Sequence, residues 1–174
     1  MLPRTAIVTA LTSLIASATY ADFKVWDPIP GSVVWSNAGN WSPVGVPDEF
    51  DTVSIDGLYT VLLDVDTASL SDITIRGGAS VGTNGSTLTA LSPSCGNSSV
   101  RGSGSTLTIS PATGVAAALD HLDIEDGGLL SMAGGDAWFS VNLTVENGTV
   151  RGRGEISADA WIRSDGLIHA MGGD

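Results

Sequence analysis

Short runs in which every second residue is large and apolar recur along this chain, and each run ends in a turn built on glycine. Leu143 and Val145 lead into Glu146-Asn147-Gly148, and Val150 resumes the pattern. The same arrangement appears in Ile73-Thr74-Ile75 before Gly78, in Leu122-Asp123-Ile124 before Gly127, and in Trp161-Ile162-Arg163 before Gly166. Successive side chains of a β-strand point to opposite sides, so a period of two predicts half-buried strands. Glycine gives the turn the backbone freedom it needs. These glycines stand 49, 21 and 18 residues apart. With one repeat inside the first gap, the spacing is that of a coil of stacked strands.

The remaining alternation fits the same picture. Val53 and Ile55, then Val61, Leu63 and Val65, then Leu88 and Ala90, then Leu107 and Ile109 alternate, mostly with Thr, Ser or Asp between them. Asp64 and Asp66 fall on the side opposite Val61, Leu63 and Val65. The longest alternating run is Ala137 to Val145, with Phe139, Val141, Leu143 and Val145 on one side and Trp138, Ser140, Asn142 and Thr144 on the other. If the first set fills the core, Trp138 points outward, where the expectation is a covering loop and the alternative a contact surface. Ala116 to Leu119 is the one plausible helical turn, and it is too short to matter. Taking about 21 residues per rung from Asp51 onward predicts roughly six rungs, a coil about 29 Å tall at about 4.8 Å per rung. The predicted fold class is therefore all-β, a right-handed parallel β-helix (β-solenoid) over residues 52–174. The alternative is an antiparallel β-sandwich, because short alternating strands serve both folds.

Residues 22–51 differ in composition. Trp26, Trp35 and Trp41, three of the five tryptophans, sit here with Pro28, Pro30, Pro43 and Pro47. Proline lacks the N–H that a sheet ladder requires, so this segment does not read as the interior of a sheet. A first rung exposes its apolar interior and its strand edges, and an aromatic, proline-rich segment folded over it would serve as a cap. The functional alternative makes Trp26, Trp35, Trp41 and Trp138 contact residues for carbohydrate, since an indole packs well on a sugar ring. Residues 1–21 read as a cleaved secretory signal peptide: Arg4, an apolar run from Ala6 to Ala16, and small residues at Thr19 and Ala21. That run is too short to span a membrane, so the expected location is secreted or cell surface.

Charge narrows the partners. The formal net charge is −12, which repels phosphate backbones and argues against nucleic acid as a partner. An acidic face also discourages edge-to-edge association of a repetitive β-protein. Cys95 is the single cysteine, so stability is expected from stacking rather than from an internal disulfide.

A resemblance enters at Trp35-Ser-Asn-Ala-Gly-Asn-Trp41-Ser-Pro43, continuing through Val46-Pro47 and Asp51-Thr-Val53-Ser-Ile55. This pattern resembles the start of exported bacterial repeat proteins of the autotransporter-associated β-strand and PEP-CTERM types. The resemblance covers the N-terminal segment and, more loosely, the rungs that follow. It implies a large surface or secreted protein built as a right-handed parallel β-helix. Neither the membrane-spanning β-barrel nor the Pro-Glu-Pro sorting signal that close such proteins occurs in these 174 residues. The last rung is therefore expected to continue into further rungs of a longer chain.

No constellation for catalysis stands out. The sequence lacks a Gly-x-Ser-x-Gly elbow, a His-Glu-x-x-His motif, a phosphate loop and a cysteine pair for zinc. Asp64 with Asp66, and Asp123 with Glu125, each place two carboxylates on one side of a strand, as a β-helical polysaccharide hydrolase would. An acidic strand shows the same pattern. His121, beside Asp120 and Asp123, and His169 read as solvated or structurally bonded. Asp120, Asp123, Glu125 and Asp126 form the densest acidic cluster, and their hard oxygens suit Ca2+, the one cofactor the composition suggests. The function expected from sequence is a non-catalytic extracellular or cell-surface β-solenoid, a structural or adhesive segment meeting surface polysaccharide or envelope components. The alternatives are a fragment of a β-helical polysaccharide lyase or hydrolase, and a carbohydrate- or calcium-binding module.

Overall fold

The computed structural model describes residues 21–91, 97–111, 115–163 and 165–170. Residues 1–20 of the signal peptide expected over 1–21, Cys95 and residues 171–174 lie outside the described residues. The chain is all-β, 56% strand, and forms a β-solenoid of about five turns whose strands pair mostly in parallel. In chain order the strands are β1 (Phe23–Trp26), β2 (Trp41–Ser42), β3 (Thr52–Asp56), β4 (Thr60–Leu62) and β5 (Asp72–Arg76). Then come β6 (Ser80–Gly82), β7 (Leu88–Ala90), β8 (Asn97–Arg101), β9 (Thr106–Ile109) and β10 (Val115–Glu125). The last four are β11 (Leu129–Glu146), β12 (Thr149–Ser157), β13 (Ala160–Arg163) and β14 (Leu167–Ala170).

Parallel pairing sorts these strands into three columns, so each turn of the coil has three faces. The first face stacks β1, β3, β5, β8, the end of β10, the end of β11 and β13. The second stacks β4, β6, β9, the start of β11, the start of β12 and β14. The third stacks β7, the start of β10, the middle of β11 and the end of β12. Among the described pairings only β1 with β2 is antiparallel, which excludes the sandwich.

Register explains the alternation. Ile55, Ile75, Val100, Ile124, Val145 and Ile162 are successive partners, so the rungs are 20, 25, 24, 21 and 17 residues long. The period varies because the corners absorb extra residues while the faces keep their stacking. Val53, Ile73, Leu122 and Leu143 make a second buried column, and Val61, Val81, Leu107, Leu130 and Val150 a third on the second face. These two columns and Ile55, Ile75, Val100, Ile124 and Val145 belong to one continuous core. Ser98 occupies an inward position in the Val53 column, where its hydroxyl accepts from Ile73 N at 3.2 Å.

Two valines depart from the expected alternation, and two other stretches gain a definite place. Ala116 to Leu119 is strand rather than helical turn: it opens β10 and pairs with β7 on one side and β11 on the other. Stacking neighbours on both sides override the helical preference of three alanines. Val65 and Val141 are exposed, at 40% and 44%, although the alternation places them inside. Val141 and Ser140 stand between Phe139 and Asn142 where β10 has Asp120 alone, and this bulge at a corner turns Val141 outward. Lys24 lies in β1, within the cap segment, directly over Val53, with its ammonium 3.5 Å from Asp22.

The cap is a short first turn in its own right. β1 covers the first face, and Val33–Trp35 covers the second: Leu62 N donates to Val33 O at 2.8 Å and Trp35 N to Leu62 O at 3.0 Å. Trp26, Trp35 and Trp41 are buried at 3%, 0% and 1% exposure. Trp41 meets both neighbours edge to face, with ring centres 4.8 and 4.7 Å apart, and its Nε1 donates to Trp35 O at 2.9 Å. Asn40, fully buried, accepts from Ile29 N and donates to Ser32 Oγ and Val34 O. Asp51, 3% exposed, accepts from Asp22 N and Asp48 N and so clips the start of the cap to its end.

Candidate functional site

Two surface features gather functional side chains, each built by stacking of equivalent positions. The first runs along the corner where the first face ends. From β3 to β11 the final residue on the first face points outward in register, giving the column Asp56, Arg76, Arg101, Glu125 and Glu146, and position 163 pairs with Glu146. Arg76 Nε lies 2.9 Å from Asp56 Oδ2. Arg101 is bonded to Glu125, with Nε 2.7 Å from Oε2, and its Nε lies 3.6 Å from Asp126 Oδ2. The hydrogen bond and charge of Glu125, with Asp126 and Asp123 adding to them, hold the Arg101 guanidinium above its ordinary pKa. Asp126 and Asn147 take φ of +51° at the turns that follow, a conformation their short polar side chains tolerate better than most. Arg101, Glu125, Asp126, Glu146, Asn147 and Asp165 enclose a groove of about 450 Å³.

The acidic residues singled out in the sequence do not converge. Asp120 accepts from Ser140 Oγ at 2.5 Å, one rung below. Asp123 lies 2.7 Å from His121 Nε2, and Glu125 and Asp126 share Arg101. Among the described residues no three of His, Cys, Asp and Glu are grouped to hold a metal ion. The paired carboxylates weighed for hydrolysis are likewise engaged locally. Asp64 accepts from Ser36 N at 2.9 Å and from Ser36 Oγ at 2.5 Å, and Asp66 accepts from Thr87 N at 2.7 Å. His169 sits on the outer side of the second face, opposite Arg151 in register.

The second feature is on the third face. Trp138 is an outward position of β11, with Ala118 of β10 on one side and Ser157 of β12 on the other. No loop covers it among the described residues: 42% of the residue is exposed. Trp138, Phe139, Ser140, Val141, Ser157, Ala158 and Asp159 line an open groove of about 310 Å³. Of the four tryptophans considered for carbohydrate contact, Trp26, Trp35 and Trp41 have no ring face open to solvent, and Trp138 has one.

Two elements of the surface escaped the sequence reading. The charged column was signalled by a charged residue one or two positions before the turn glycine, in Asp56-Gly57, Arg76-Gly77, Arg101-Gly102, Glu125-Asp126-Gly127 and Glu146-Asn147-Gly148. The Ser36–Asp64 bond joins residues 28 apart through the stacking of cap on rung, and nothing local announces it. The chain matches no protein-family model, no curated protein and no solved structure.

Proposed function

We propose that this chain is a non-catalytic structural and adhesive segment, a stiff β-solenoid whose faces meet surface polysaccharide or envelope components outside the cell. One observation carries the reading: its polar side chains bond from rung to rung along the coil. Arg76 reaches Asp56, Arg101 reaches Glu125, and Ser140 reaches Asp120. Thr89 N donates to Thr67 Oγ1 and Thr87 N to Asp66. A carboxylate committed to the next rung fixes the stack. A hydrolase instead needs two carboxyl groups facing one another across a bond.

The leader-like residues 1–21 and the resemblance of Trp35 to Ile55 to exported repeat proteins support export to the surface. That segment forms the seam between cap and first rung, where a repeat array has to be closed. The test is incubation of the chain with soluble and insoluble polysaccharides. The expected result is retention of the chain on a polysaccharide or envelope surface with no oligosaccharide released into the supernatant. Released sugars or unsaturated products would overturn the reading in favour of a lyase or hydrolase.

A further inference from the structure

We propose that the Trp138 groove binds a neutral polysaccharide, with the indole as the floor for one sugar ring and Ser157 and Asp159 as partners for its hydroxyls. The proposal rests on the adhesive reading above and names its ligand.

The location follows from register. Outward positions in the Trp138 column are otherwise small, with Thr89, Ala118 and Ser157 as successive neighbours. The indole therefore stands above the face instead of packing between equals. Exposing a tryptophan on a flat sheet forgoes the burial that Trp26, Trp35 and Trp41 achieve in the same chain.

The lining selects the ligand. Trp138, Val141 and Ala158 supply apolar surface, Ser157 a hydroxyl and Asp159 a carboxylate. The hydroxyl of Ser140 is already donated to Asp120. A sugar ring has an apolar C–H face and a rim of hydroxyls, and it matches this division. Carboxylate oxygens accept hydrogen bonds from adjacent hydroxyls. At about 310 Å³ the groove lies at the small end of ligand sites, which run from about 300 to 1,000 Å³. That suits a ring or two of a longer polymer lying across the face.

Charge decides among polymers. Asp159 lines the groove, Asp136 and Glu155 are paired in register on the same face, and the chain carries −12 overall. Uronate, sulfate and phosphate polymers are repelled. A basic peptide would satisfy the charge and sit on the indole by a cation–π contact, but it would leave Val141, Ala158 and the hydroxyl of Ser157 without a counterpart.

The experiment is calorimetric titration of the full chain with neutral hexasaccharides of glucose, mannose and xylose. Polygalacturonate and a lysine hexapeptide serve as charged controls. At least one neutral hexasaccharide is expected to bind saturably at millimolar concentration or below. Trp138→Ala should weaken that binding at least tenfold, Asp159→Asn should weaken it less, and Trp138→Phe should retain part of it. Ala118→Arg, which crowds the approach to the indole from the neighbouring rung, gives an independent loss if Trp138→Ala fails to fold. The proposal is overturned if no neutral hexasaccharide binds, if Trp138→Ala binds like the unaltered chain, or if the lysine peptide alone binds. None of these outcomes touches the retention and product tests of the adhesive reading, which other faces of the coil can satisfy.

Discussion

Asp64 shows how a single side chain joins the cap to the coil. Burial alone pushes its carboxyl pKa up, but hydrogen bonds from the Ser36 hydroxyl, the Ser36 N–H and its own backbone N–H outweigh this and hold it below the ordinary value. A carboxyl that ionises more readily in the folded chain stabilises it fully above the unfolded value, near pH 4. That contribution is lost as pH falls through the lower folded value. Acid should therefore loosen the cap, and Asp64→Asn should remove this component of the acid response. Trp26, Trp35 and Trp41 are buried in the cap, so tryptophan fluorescence followed from about pH 5 down to about pH 2 reads the difference. Identical acid profiles for Asp64→Asn and the unaltered chain would show that Asp64 does not hold the cap.

At the scale of the element, strand and turn were legible to different degrees. The faces declared themselves because a period of two survives wherever one side of a strand is buried, as in Ile73-Thr74-Ile75 and Leu122-Asp123-Ile124. The corners did not, because the pattern changes register there without a change in composition. Phe139 to Leu143 reads as uninterrupted alternation, yet a bulge turns Val141 to solvent. The outward side was the least legible. Trp138 looks the same in sequence whether covered or bare, and the partners of Arg76 and Arg101 lie 20 and 24 residues away in the next rung. Turn glycines carry a further constraint, the closeness of adjacent rungs. A Cβ on Gly148 would stand 2.5 Å from the carbonyl oxygen of Ile124 in the rung above. Gly148→Ala must force the two corners apart, and a destabilisation of about 1–3 kcal/mol is expected from overpacking of this kind. Urea unfolding checks it, and an unchanged midpoint would mean that the corners are not in contact.

For the whole molecule, one coil reconciles the acidic surface, the single cysteine and the absence of long helices among the described residues. Stability comes from side chains stacked in columns along a common core, and the buried tryptophans close the end that β1 and Val33–Trp35 cover. The three faces then differ in use. The first carries the charged column at its edge, the second is rich in Thr and Ser in its early rungs, and the third presents Trp138. On the proposed adhesive reading, such a coil keeps its outward residues at fixed spacing along the axis. The central claim is that successive rungs stack in parallel and in register, and spin-label distances measure this directly. With Cys95 replaced by Ser, labels at Asp56 and Glu125 are three rungs apart, and labels at Asp56 and Glu146 are four. At about 4.8 Å per rung, the predicted separations are about 14 and 19 Å. Distances that grow by about one rung spacing from the first pair to the second bear the coil out. Distances that do not increase, or that scatter independently of rung number, would contradict it.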